Sequence, residues 1–207
     1  MKDEILLAIL EEISKLQAMR TWRIDNILVE HGITDGHVAW GASKFCLILP
    51  EVDFVIKWDN NADSCDSIKE VAVYKDAVNC NLDYFFPKTE EYAEFNGYIF
   101  IKQEKIDYPA DRMNWKDTCR YKKIARTVSP KIIQKMNNEI QIAEYSDYSR
   151  VLDNLWAGVV ISLYGKARAK ALCDFIRKHS ITDLHRSNIG YKNHRPIILD
   201  FCGYYGG

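Results

Sequence analysis

The chain has 207 residues, of which 47% are hydrophobic and 12% aromatic, and its 28 basic side chains nearly cancel its 29 acidic ones. That length suffices for a sizeable core in one domain or one two-lobed domain, and the apolar content together with a net charge of −1 excludes intrinsic disorder. No apolar run approaches a membrane span, the N-terminus is amphipathic and acidic rather than a signal peptide, and total charge gives no case for nucleic acid or a membrane surface. The expectation is a cytoplasmic globular protein with no nucleic-acid or membrane partner. Cys46, Cys65, Cys80, Cys119, Cys173 and Cys202 are scattered without a C-x-x-C pair or a histidine at zinc-finger spacing. Reduced thiols in a reducing compartment are the simplest reading, a disulfide framework the other, and no structural metal is expected.

In chain order, residues 3–20 have helical periodicity, with Ile5, Ile9, Ile13 and Leu16 on one stripe and Leu6 and Leu10 beside it. Such a helix packs on the body of the fold or binds a partner. Residues 22–58 read as short extended runs, among them Phe45–Leu49 and Phe54–Ile56 about a turn at Pro50–Asp53. Residues 64–80 return to a helical pattern, Pro87 closes the next segment, and Tyr98–Ile101 is a strand. Residues 107–128 are polar and aromatic with weak periodicity and yield no element. Helices are predicted over 130–145, 147–164 and 166–179, the first with Pro130 at its start, followed by a hairpin of Ile189–Tyr191 and Pro196–Leu199.

The chemistry concentrates at the end of the chain. Asp183 and Asn188 lie five residues apart on a polar loop, and Asp200 follows the last strand of the hairpin. Three oxygen-bearing side chains that converge suit a hard cation with bound phosphates, the arrangement phosphoryl transfer uses. Asp183 and Asn188 also have a simpler reading as turn residues, whereas an aspartate directly after an apolar strand is less ordinary.

Asp183-Leu184-His185-x-x-Asn188 resembles the catalytic loop of the protein-kinase-like superfamily, in the form seen in aminoglycoside and choline phosphotransferases and in short bacterial or phage kinase-like proteins. Asp200-Phe201-Cys202-Gly203 resembles the magnesium-binding D-F-G element with one residue inserted, and Phe54-Val55-Ile56-Lys57 resembles the strand whose lysine holds the ATP phosphates. The resemblance runs from about residue 38 to 203. It implies an α+β, minimal two-lobed kinase-like fold: an N-terminal helix and small antiparallel-sheet lobe over 1–105, and a truncated helical lobe over 106–207, with ATP in the cleft. Magnesium ligation falls to Asn188 and Asp200, proton acceptance from a hydroxyl to Asp183, and phosphate orientation to Lys57 paired with a helix glutamate. Glu70 is the natural partner, with Glu90, Glu91 and Glu94 as weaker ones. Glu70 equally completes a capping box with Ser67.

Three features depart from the family pattern. In place of a glycine triad stands Trp40-Gly41-Ala42-Ser43-Lys44, where Gly41 and Ser43 are the cofactor-binding candidates. Ile181-Thr182 replaces the usual histidine before the catalytic aspartate. Seven residues follow Asp200, so the expected helical lobe lacks the platform on which protein kinases dock peptides. His185 and Arg186 contact substrate or brace the loop, and Gln103-Glu104-Lys105 occupies the position of the adenine-binding hinge. The expected activity is transfer of the γ-phosphoryl group of ATP to a hydroxyl on a protein or a small molecule. The rivals are a phage-encoded binding protein that uses a kinase-like scaffold on a host factor without turnover, and nucleotidyl transfer in the same cleft.

Overall fold

The computed structural model describes residues 3–41, 43–140, 153–181 and 184–202. They form a mixed α+β structure with antiparallel sheets and, among the described residues, six α-helices. The chain divides into two compact units, Met1–Tyr74 with Lys88–Lys105, and Lys75–Pro87 with Ile106–Gly207. The segment 75–87 thus groups with the later part of the chain.

The first unit contains helices α1 (Asp3–Ser14) and α2 (Thr21–Glu30), strands β1 (His37–Trp40), β2 (Lys44–Ile48) and β3 (Phe54–Asp59), the first two turns of helix α3 (Asp66–Asn79), and strands β4 (Thr89–Phe95) and β5 (Tyr98–Glu104). The five strands are antiparallel in the order β1-β2-β3-β5-β4. Side chains alternate across this sheet. One face presents Phe45, Leu47, Ile56, Trp58 and Phe100 to Leu6, Ile9, Leu10 and Ile13 of α1 and Ile24, Ile27 and Leu28 of α2, and these form one core cluster. Phe45 and Trp58 are register partners and stack with ring centroids 5.5 Å apart.

Helix α2 corrects the extended reading of residues 22–58. Its β-branched residues suggest a strand, but Ile24, Ile27 and Leu28 recur at helical spacing and bury together. Gly32, at φ 76°, ends it, with Ile33 N–H donating back to the Leu28 carbonyl. Strand β4 is a second correction, since its acidic sequence hides its alternation. An Asn96-Gly97 turn with positive φ at both residues folds it onto β5. Helix α1 ends at Ser14, not residue 20.

The second unit has a three-stranded antiparallel sheet of β6 (Tyr108–Pro109), β7 (Ile189–Lys192) and β8 (Arg195–Ile198), with β7 central. Its helices are α4 (Trp115–Ala125), α5 (Pro130–Ile140) and α6 (Asn154–Lys178). Helix α4 and strand β6 fill the stretch 107–128 that yields no element from sequence. Asn114 caps α4 by accepting from the Asp117 N–H, and Tyr121 turns inward to stack on Tyr191 at 3.9 Å. The predicted helix over 130–145 is α5 as far as Ile140, and residues 141–145 lie outside the described residues. The helices predicted over 147–164 and 166–179 form α6, broken at Gly165 (φ 78°, ψ 168°), with residues 147–152 likewise outside. The hairpin forms with a tighter turn than the sequence suggests: Asn193 and His194, both at positive φ, make it, while Lys192 and Arg195 pair in the strands and β8 ends at Ile198.

Within this unit Asp76 accepts from Lys178 Nζ at 2.6 Å and His179 Nε2 at 2.7 Å, and these two donors hold its carboxyl below the ordinary value of 3.8. A depressed folded value means the contact stabilises fully above the unfolded value and is lost as pH falls through the folded one. Asp76→Asn should therefore lower the thermal midpoint at neutral pH, and the gap from wild type should close as the pH falls below the ordinary carboxylate range. Thermal scans across pH check this. A gap that persists unchanged into acid contradicts it.

Candidate functional site

The sheet face opposite the apolar core carries the polar chemistry of the first unit. Lys44 and Cys46 on β2 lie across from Asp59 and Lys57 on β3, and Gln103 on β5 lies across from Val55, so alternation puts all of them on the side that faces α3. Glu70 projects from α3 into this layer and is fully buried. One of its oxygens, Oε1, accepts from Lys44 Nζ at 2.7 Å. The other, Oε2, accepts from Lys57 Nζ at 3.5 Å and from Gln103 Nε2 at 3.3 Å. Gln103 is itself held by Thr89 Oγ1 at 3.2 Å. The side chains of Lys44 and Lys57 are only 8% and 12% exposed, so these charges interact through a medium far less polar than water.

Of the two readings of Glu70, the geometry has the ion pair. Ser67 does not cap with Glu70: its N–H and hydroxyl both donate to Asp59, at 3.1 and 2.8 Å. Asp59 thus secures the first turn of α3 from the end of β3, while the next turn delivers Glu70. Glu90, Glu91 and Glu94 lie on β4, not on a helix. Burial pushes the Cys46 thiol up to about 11, against the Lys57 ammonium, which pulls it down.

Lys44 is the participant that sequence reasoning missed. Its signal was the alternation of Lys44 and Cys46 with Phe45 and Leu47, which puts Lys44 on the face of Lys57 once the hairpin register is known. Gly41 and Ser43 lie in the turn entering β2, where the Gly41 N–H donates to the Lys44 carbonyl at 2.9 Å and Ser43 O accepts from Asn60 N–H at 2.8 Å. Gly41 is exposed and Ala42 lies outside the described residues.

The second unit holds the other group. Asp183 lies outside the described residues, but Ile181 and Leu184 on either side are buried. Past them the loop is pinned at several points. Asn188 N–H donates to the His185 carbonyl at 2.9 Å, and His185 Nδ1 accepts from Ser187 N–H at 3.2 Å. Ser187 Oγ donates to Asp111 at 2.9 Å. Arg186 donates to the Ala110 carbonyl at 2.9 Å and lies 3.4 Å from Asp153, so it braces the loop. The Leu199 N–H donates to the Asn188 carbonyl at 2.8 Å, which extends the β7–β8 ladder and sets Asn188 opposite the residue before Asp200. Phe201 is buried against Phe86, with centroids 5.1 Å apart, and anchors the chain just beyond Asp200. Asp200 Oδ1 accepts from the Cys202 thiol at 3.4 Å.

Each unit therefore presents one chemically coherent set: two ammonium groups on a buried carboxylate in the first, and in the second an asparagine and an aspartate at the open end of one hairpin, Asn188 just before β7 and Asp200 two residues after β8. No protein-family model matches the chain, and a search of the curated proteins returns no match either.

Proposed function

We propose that this chain is an ATP- and magnesium-dependent phosphotransferase of minimal kinase-like architecture, the first unit acting as the small lobe and the second as the helical lobe. The observation that carries the reading is the fully buried Glu70, delivered by the helix after β3 to the lysine at the centre of that strand. A carboxylate in that environment keeps an ammonium oriented, and lysine ammonium groups suit phosphate oxygens. Asn188 and Asp200 offer the oxygen ligands that magnesium takes, and the ion would neutralise charge on the phosphates. Asp183 would accept the proton of the attacking hydroxyl of a protein or small-molecule acceptor.

The test is ADP formation from Mg-ATP by the full chain, with the intact mass followed for a phosphate-sized rather than nucleotide-sized adduct. The reading expects ADP from wild type and at least a hundredfold less from Asp183→Asn and from Asp200→Ala, each with its unfolding midpoint retained. Turnover undiminished in Asp200→Ala sinks it. A second reading, binding without turnover, is favoured by the β1–β2 turn: a Cβ at Gly41 would meet nothing within 4 Å, so no close approach requires glycine there. A pure binder would tolerate both substitutions.

A further inference from the structure

Between Arg112 and Lys135 the chain carries eight basic residues and one acidic one, in a molecule whose net charge is −1. Five of the eight basic residues lie on one helix or directly after it. At 3.6 residues per turn, Lys116, Arg120, Lys122, Lys123 and Arg126 fall within an arc of about 160° around α4 and the residue that follows it. All five are exposed, while Tyr121 on the opposite side is buried. No acidic residue shares the arc. Asp117, the acidic residue of α4, lies off it and receives a hydrogen bond from Asn114 Nδ2 at 2.6 Å. Trp115 lies within the arc and is 76% exposed, the most exposed large apolar side chain among the described residues. Arg120 carries the surface on to the β7–β8 turn, with Nη1 2.9 Å from His194 Nε2.

We infer that the outer face of α4 binds single-stranded nucleic acid. A one-sign surface about 16 Å long matches a phosphate backbone, whose affinity is mostly electrostatic. An exposed tryptophan among the cations gives a base a stacking platform, the combination that sequence-tolerant single-strand sites use. At the other end of α4 a shallow groove lined by Ala125, Val128, Ile133 and Leu155 and rimmed by Lys122 and Arg126 offers apolar surface to another base further along the strand. An acidic peptide would satisfy the cations but leave the exposed Trp115 ring without a stacking partner, which a base supplies. The expectation of no nucleic-acid partner, drawn from total charge, averages over this face. This inference is independent of the phosphotransferase reading.

The test is fluorescence anisotropy of a labelled oligothymidylate with the full chain, titrated with salt. Binding should weaken with a log–log slope of about −3.5, as expected for some five neutralised phosphates on a single strand. Trp115→Ala should weaken it about tenfold. The pair Lys116→Glu and Lys123→Glu should abolish binding, while the charge-matched control Lys15→Glu with Lys88→Glu, in the other unit, should leave it unchanged. Failure of wild type to bind in 50 mM salt overturns the inference. So does a polyglutamate peptide or a phosphatidylserine vesicle that binds as tightly as the oligonucleotide, or equal loss in the control pair.

Discussion

Glu70→Ala lowers the unfolding free energy by about 3–5 kcal/mol, the cost of removing one member of a buried ion-paired group. Two lysine side chains, 8% and 12% exposed, lose the carboxylate they share, and Gln103 loses an acceptor. For a chain of this size the loss corresponds to a fall of roughly 6–20 °C in thermal midpoint. The two lysines then separate by distance. Lys44→Met, which removes the 2.7 Å contact, should destabilise more than Lys57→Met, which removes the 3.5 Å contact. Denaturant unfolding of the three variants checks both statements. A Glu70→Ala loss below about 1 kcal/mol, the level of an exposed pair, would mean that the carboxylate is solvated.

Gly190→Ala strikes the second unit. A Cβ at Gly190 would sit 2.6 Å from the Tyr108 carbonyl oxygen, 2.8 Å from Ile106 Cδ1 and 3.1 Å from Pro109 Cα. Two of these are backbone atoms of β6, the strand paired with β7 at this residue, so no rotamer change relieves the clash. Overpacking of this kind costs about 1–3 kcal/mol, and here the strands must part for any relief. Because Asn188 directly precedes β7, and β7 pairs with the strand that leads to Asp200, the substitution should impair the proposed nucleotide-dependent behaviour as well as stability. Gly41→Ala, where nothing lies within 4 Å, is the matched control and should change stability by less than about 0.5 kcal/mol. Equal urea midpoints for the two variants would contradict the account.

Where the sequence was legible, two levels agreed. Phe45–Leu49 and Phe54–Ile56 were readable because their apolar runs flank a turn, and the 189–199 hairpin because polar turn residues separate two short apolar strands. Gly165 marked the break in α6 without fixing its form. Helix α2 was lost because β-branched Ile and Val suggest strand, although Ile24, Ile27 and Leu28 keep helical spacing. Strand β4 was lost because glutamates are poor strand formers, although Asn96-Gly97 announced its hairpin. Helix α4 escaped because it buries one face around Tyr121 and leaves five basic residues on or beside the other. In the site, the partnership of Lys57 and Glu70 was implied by the family resemblance, with the helical pattern of residues 64–80 offering Glu70 as the glutamate. The role of Lys44 could not be read, since it reaches Glu70 only through the β2–β3 register.

The most direct measurement is a thermal-unfolding scan of the full chain with and without Mg-ATP, beside Asp200→Ala. Ligand at about a hundredfold over its dissociation constant stabilises by roughly 2.7 kcal/mol, which corresponds to about 5–10 °C here. The account predicts a magnesium-dependent rise of that size in wild type and none in Asp200→Ala. No rise at millimolar Mg-ATP, or an equal rise in the variant, would contradict it.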